Sequence, residues 1–279
     1  MLKTLLGRFT RSSTVAIPDE LWTVTVSAFP CAENLDAEDA ARLRALAGQL
    51  LADKEMSAAG DLDLTADMQV SIAVQACLPI LNLGLDWYRG WSSIVVYPGE
   101  FLVPRSLADE DGVVHEYVEP ITGEAWEGGP LLVSWEDAQR STTDAGAAYS
   151  VVIHEFVHKI DLLDGAADGC PPFSRELHDG LDARQWNDVL DDTFERFLAE
   201  LDLIESELPE GVDPDSEEAD QYYAHLPFDP YAAHDEAEFF AVTSEAFFVD
   251  PGSLQRAFPD WYALLARFFR QDPVARATR

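Results

Sequence analysis

At 279 residues the chain is long enough to bury a sizeable hydrophobic core, and with 47% apolar and 25% charged residues it has the composition of a folded globular protein. Its charge is unusual: 18 basic against 52 acidic residues give a formal net charge of -34. Such a surface repels phosphate backbones and anionic lipid, which argues against a direct nucleic-acid or membrane-surface role while leaving a cationic partner open. Cys31, Cys77 and Cys170 form no C-x-x-C pair and are too scattered for a disulfide framework, so they fit a reducing compartment.

Residues 1–20 read as a weakly structured lead-in. The opening MLKTLLGRFTRSS lacks the sustained apolar stretch and small-residue cleavage site of a secretion signal. The apolar run Ile72–Leu85 is broken by Gln75, Pro79 and Asn82 and is no membrane span. A cytoplasmic location is therefore expected.

In chain order, Leu43, Leu46, Leu50 and Leu51 recur at helical spacing and predict a helix over Asp36–Lys54. A second helix is expected over Thr65–Ala76, interrupted by Pro79. The β-branched and aromatic segment Ser93–Tyr97 predicts a buried strand ending at Pro98-Gly99. Asp109–Asp111 with Gly112 marks a loop, and a further strand is expected over Leu131–Trp135. Lying just before the next helix, that strand is expected to form the edge of a cleft onto which an extended peptide pairs. Helices are then predicted from about Asp144 to Asp164, ending at Gly165, over Trp186–Glu207, over His234–Val249 and over Trp261–Arg270. An acidic loop, Pro209–Gln221, lies among them.

The chemistry concentrates in His154-Glu155-Phe156-Val157-His158. Residues four apart on a helix lie one above the other, so the two imidazoles can reach one metal ion. Glu155 sits close enough to reach a metal-bound water but is badly placed to be a third ligand. The arrangement suits zinc-assisted hydrolysis with Glu155 as the base. Tyr149, Val152, Ile153, Phe156, Val157 and Ile160 make this helix apolar, as a buried metal helix should be; two core histidines with other partners are the alternative. Asp161, on the same face, is a candidate acceptor for the second N–H of a metal-bound imidazole, or simply a solvated residue near the helix end.

A catalytic zinc needs a third protein ligand and an open position. No third histidine follows at short spacing, so a carboxylate from a later helix is expected. Glu238 and Glu245, seven apart on one face of an aromatic-rich helix, both qualify, and His234 is a further candidate. Spacing does not choose among them.

The combination of His154-Glu-Phe-Val-His158-Lys-Ile-Asp161, Tyr231 and Ala237-Glu-Phe-Phe-Ala-Val-Thr-Ser-Glu245-Ala-Phe-Phe248 resembles the Mlc titration factor A (MtfA) family of bacterial zinc peptidases. Upstream, Cys77-Leu-Pro-Ile-Leu-Asn-Leu-Gly-Leu-Asp-Trp87, Val96-Tyr97-Pro98 and Gly129-Pro-Leu-Leu-Val-Ser-Trp135 extend the likeness, as do Phe258-Pro259 and Gln271-Asp272-Pro273 at the end. The resemblance implies His154, His158 and Glu238 as ligands of one Zn2+ and Glu155 as general base, which leaves Glu245 either as a residue supporting a ligand or as a buried partner within its helix. The family's catalytic core is similar to that of anthrax lethal factor, where a tyrosine seven residues before the ligand glutamate faces the metal; here that position is Tyr231, implied as oxyanion donor. Aminopeptidase-like activity on peptide or protein substrates is implied, together with binding of a transcriptional repressor of sugar-uptake genes.

The expected fold is α+β and predominantly helical: a zincin-like metallopeptidase core with a small mixed sheet packed on helices and the cleft between the two metal-bearing helices. Residues 21–279 form one unit, with a helical N-terminal part (21–128) and a metal-bearing catalytic part (129–272). The rival reading is a regulatory protein that sequesters a repressor, with peptidase activity secondary; hydrolysis of a non-peptide amide is a third.

Overall fold

The computed structural model describes residues 14–108, 114–140, 149–214, 216 and 218–277. The first helices, α1 (Asp19–Ser27), α2 (Pro30–Glu33) and α3 (Ala37–Asp53), lead into strand β1 (Glu55–Ala58) and helix α4 (Ala66–Cys77). Helix α3 starts where the Asp36 carboxylate accepts the N–H groups of Glu38 and Asp39, and it buries Leu43, Leu46, Ala47 and Leu50 against α4. The expected lead-in falls largely outside the described residues. From Val15, whose N–H donates to Gly48 O, the chain is tied to α3, and Ile17 is buried.

Strand β2 (Ser93–Tyr97) is followed by the antiparallel pair β3 (Phe101–Ala108) and β4 (Val114–Ile121), then by β5 (Gly123–Ala125) and β6 (Leu131–Ser134). The connection at Asp109–Gly112 lies outside the described residues. A four-stranded sheet has the order β1-β2-β6-β5. Its first three strands are parallel, with Met56 opposite Ile94 and Ile94 opposite Leu131; β5 closes the row antiparallel to β6, with Gly123 opposite Val133.

This topology corrects one expectation. Leu131–Ser134 pairs on both sides and is buried at every residue, so it cannot form the edge of a cleft. The edge is β5, a three-residue strand containing glycine that carries no apolar run to betray it. Trp135 belongs instead to α5 (Trp135–Gln139), started by the Ser134 side chain.

Helix α6 (Val151–Asp161) packs against β5 and β6 on one side and α9 (Glu236–Val249) on the other. The helix expected from about Asp144 begins at Val151, because Ser150 is extended and its Oγ caps the Ile153 N–H; residues 141–148 lie outside the described residues. At its end the chain tightens into a 3-10 turn, Leu162–Asp164, and leaves through Gly165 at φ 99°.

The long α7 (Ala183–Ser206) buries a stripe of Trp186, Leu190, Thr193, Phe197 and Leu201 and leaves its acidic face to solvent. After α8 (Asp220–Tyr223) and a 3-10 turn, Pro230–Ala233, α9 is buried on all sides, with Phe239, Phe240, Phe247 and Phe248 inside. Helices α10 (Pro251–Ala257), α11 (Pro259–Phe269) and α12 (Pro273–Ala277) close over it. Trp261 donates its indole N–H to Thr243 Oγ1 at 2.9 Å, and its ring packs edge-on to Trp186. The architecture is thus α+β and predominantly helical, with one small mixed sheet.

Candidate metal centre and active site

One turn of α6 separates His154 from His158, and their Nε2 atoms converge to 3.0 Å. The third donor arrives from the first turn of α9, where the Asp235 side chain caps the Glu238 N–H. Glu238 Oε2 lies 3.0 Å from His154 Nε2 and 3.3 Å from His158 Nε2. Donors held about 2.0–2.1 Å from one tetrahedral ion stand about 3.3–3.4 Å apart, so this triangle fits a zinc-sized cation with little adjustment. The chemistry of the set agrees: two imidazoles and a carboxylate leave room for a fourth, non-protein ligand. In the metal-free protein the burial of Glu238 is outweighed by His154 and His158, which hold its carboxyl well below the ordinary range.

Of the alternatives open in the sequence, Glu245 lies behind His154 rather than among the donors. Its Oε1 is 2.8 Å from His154 Nδ1, and its Oε2 accepts the Ser150 N–H at the start of α6. A carboxylate at Nδ1 keeps the proton there and leaves the Nε2 lone pair free for a metal. His234 is exposed and points its Nδ1 toward Asp235, 3.3 Å away, outside the cluster. Asp161, considered as an acceptor for an imidazole, is fully buried and takes the Gly169 N–H at 2.9 Å; its Oδ1 has no hydrogen-bond partner among the described residues. Burial raises its carboxyl to about 7.

Glu155, the next residue after His154, turns toward β5, where it lies against Gly123. It is buried, and its Oε2 has no hydrogen-bond partner among the described residues. Burial pushes its carboxyl up to about 7, opposed by the charges of His154 and His158. A cleft of about 340 Å³ opens in front of it, lined by Ile121, Gly123, Tyr149, Asp229 and Tyr231 among others, with no lysine or arginine among the described residues of its wall. Tyr231 sits in the 3-10 turn held by Asp229, half exposed, with its ring 6.2 Å from that of His154.

Lys159, the residue after the second histidine, is buried and donates to the carbonyls of Trp126, Gly129 and Pro130 at 2.5, 3.0 and 3.4 Å. It thereby fastens the turn between β5 and β6 to the helix that carries the histidines. No local pattern signals this contact, nor the places of Asp229 and Gly123 in the cleft wall, and Tyr149, expected within the apolar helix, lies before its first turn and lines the cleft instead. Gly123 and Asp229 belong to segments without periodicity, and the packing of β5 on α6 and of the 3-10 turn on α9 brings them there.

An α+β fold that gathers two histidines and a glutamate beside a buried carboxylate and an open cleft defines the class of the metallopeptidases. The chain belongs to the family described as glucose-regulated metallo-peptidase M90, whose profile matches residues 7–270. It is 36% identical over 253 residues to Mlc titration factor A of Serratia proteamaculans (strain 568), covering 90% of this chain and 87% of the relative. The protein of the same name from Pectobacterium atrosepticum is 35% identical over 258 residues, 92% of this chain and 88% of the relative. That of Yersinia pestis (strain Pestoides F) is 34% identical over 251 residues, 90% and 84% respectively. The resemblance to the Mlc titration factor A family thus extends along nearly the whole chain.

Proposed function

We propose that this protein is a zinc-dependent, aminopeptidase-like enzyme of the cytoplasm, with His154, His158 and Glu238 as the metal ligands of a single unit spanning residues 21–279. The observation that carries this reading is the triangle of Nε2, Nε2 and Oε2 atoms beside the buried Glu155. A zincin-like catalytic core accounts for the order of its parts: edge strand, histidine helix, then glutamate helix.

A zinc held by His154, His158 and Glu238 would supply Lewis acidity for water activation and for polarising a carbonyl. Glu155 accepts a proton from the attacking water and hands it to the leaving amine. Tyr231, at the cleft wall near His154, donates its hydroxyl hydrogen bond to the oxyanion that develops on the substrate.

Substrate alignment falls to β5. Thr122 and Trp126 bond inward, to Ser134 and Pro130, so by antiparallel alternation the main-chain groups of Gly123 and Ala125 face outward. An extended peptide can pair there. Among its described residues the cleft wall holds Asp229 and no lysine or arginine, which suits a substrate with a free α-ammonium group. A panel of aminoacyl anilides and their N-acetylated counterparts tests this: only the free amines should be hydrolysed, and equal turnover of blocked substrates would overturn the aminopeptidase assignment.

A second reading, sequestration of a transcriptional repressor, takes its support from the relatives' name, which speaks of titrating Mlc. It predicts that Glu155→Gln still captures the repressor after hydrolysis is lost; absence of any complex with the wild-type chain would dismiss it.

A further inference from the structure

The glycine at the edge of the cleft calls for an explanation that its backbone does not supply. Gly123 is not among the glycines held at positive φ, so its conformation is open to any residue. What sets it apart is space. A Cβ built at Gly123 would fall 2.6 Å from Glu155 Cγ and 2.7 Å from Cδ, and would also collide with Oε1. The strand cannot draw back to make room, because Gly123 lies opposite Val133 and its neighbour Thr122 accepts the Ser134 N–H at 2.7 Å. Lys159 pins the far end of the same strand to α6. The flank of Glu155 is therefore closed by a backbone that must carry no side chain.

We propose that Gly123 is a positioning residue for Glu155: the missing side chain at this point of β5 is what lets the carboxylate lie beside the metal-binding triad. The proposal rests on the reading of Glu155 as general base. Any larger residue at 123 drives the carboxylate out of this niche while leaving His154, His158 and Glu238 in place, since the atoms that a Cβ at 123 meets first all belong to Glu155. A displacement of about 1 Å at a catalytic group costs on the order of 10²-fold in rate.

The experiment compares the full-length wild type with Gly123→Ala, Glu155→Ala and the double variant, reading zinc content, kcat, KM and melting temperature. Gly123→Ala should keep one zinc per chain, leave KM within about twofold, and lower kcat by ~10²-fold. It should also lower the melting temperature, and Glu155→Ala should relieve that loss, so that the double variant melts with Glu155→Ala alone. This stability comparison reads the contact independently of turnover. Wild-type kcat in Gly123→Ala, or an equal melting loss in both backgrounds, would overturn the proposal. An active Glu155→Ala would instead overturn the general-base reading, an outcome read from that variant alone.

Discussion

Glu245 offers a stringent test of how the metal helix is held. Its two carboxylate oxygens meet two donors, His154 Nδ1–H and the Ser150 N–H. Glu245→Gln keeps the shape but supplies one acceptor oxygen in place of two. If that oxygen stays with Ser150, the amide NH2 faces Nδ1; the imidazole must then accept there and carry its proton on Nε2, the atom aimed into the donor triangle. If the oxygen stays with His154, the buried Ser150 N–H is left without an acceptor, at a cost of about 1–3 kcal/mol. Removing such a partner of a metal-bound histidine weakens metal binding by about 10–100-fold, or about 1.4–2.7 kcal/mol. Competition against a chromophoric chelator measures the zinc affinity, and urea unfolding of the metal-free proteins measures the cap. A Glu245→Gln variant with zinc affinity within about twofold of wild type and an unchanged unfolding midpoint would refute the reasoning.

Lys159→Met should loosen the edge strand. It removes the ammonium from the carbonyls of Trp126, Gly129 and Pro130. The first and last keep the N–H groups of Gly129 and Trp126, while Gly129 O loses its donor. A loss of about 1–3 kcal/mol is expected in urea unfolding, with KM raised and zinc content kept. Asp161 predicts a pH dependence of stability. Its carboxyl is raised from 3.8 to about 7 by burial, so the folded state holds the proton more tightly than the unfolded state. The resulting stabilisation is complete below about pH 4 and is lost as pH rises through about 7. Asp161→Asn, which keeps an acceptor for the Gly169 N–H, should flatten that slope in chelator-treated protein compared at pH 5 and pH 8. An identical slope in both proteins would remove Asp161 as its source.

The parts of this molecule that were legible in the sequence are those with a local signature. Helical spacing located α3, α4, α7, α9 and α11 to within a few residues, since each hides an apolar stripe or carries its own cap. His154 and His158 were legible for the same reason, lying one turn apart on an apolar helix. What escaped was set by distant neighbours. The edge strand Gly123–Ala125 is too short and too polar to show a period, and it becomes the edge only because β6 pairs between it and β2. The choice between Glu238 and Glu245 could not come from spacing, because one face of α9 carries both; their places differ by which side of His154 each meets. Lys159, a charged residue in the last turn of α6, carries no local sign of burial, yet it lies under a turn of three carbonyls.

The central claim, that His154, His158 and Glu238 bind a zinc ion on which Glu155 acts as base, is tested most directly by measuring zinc content and kcat together in the wild type, Glu155→Gln and Glu238→Ala. The account predicts one zinc per chain in the wild type and in Glu155→Gln, with kcat in the latter lower by about 10²–10⁴-fold, and loss of both zinc and activity in Glu238→Ala. Full zinc content in Glu238→Ala, or undiminished turnover by Glu155→Gln, would contradict it.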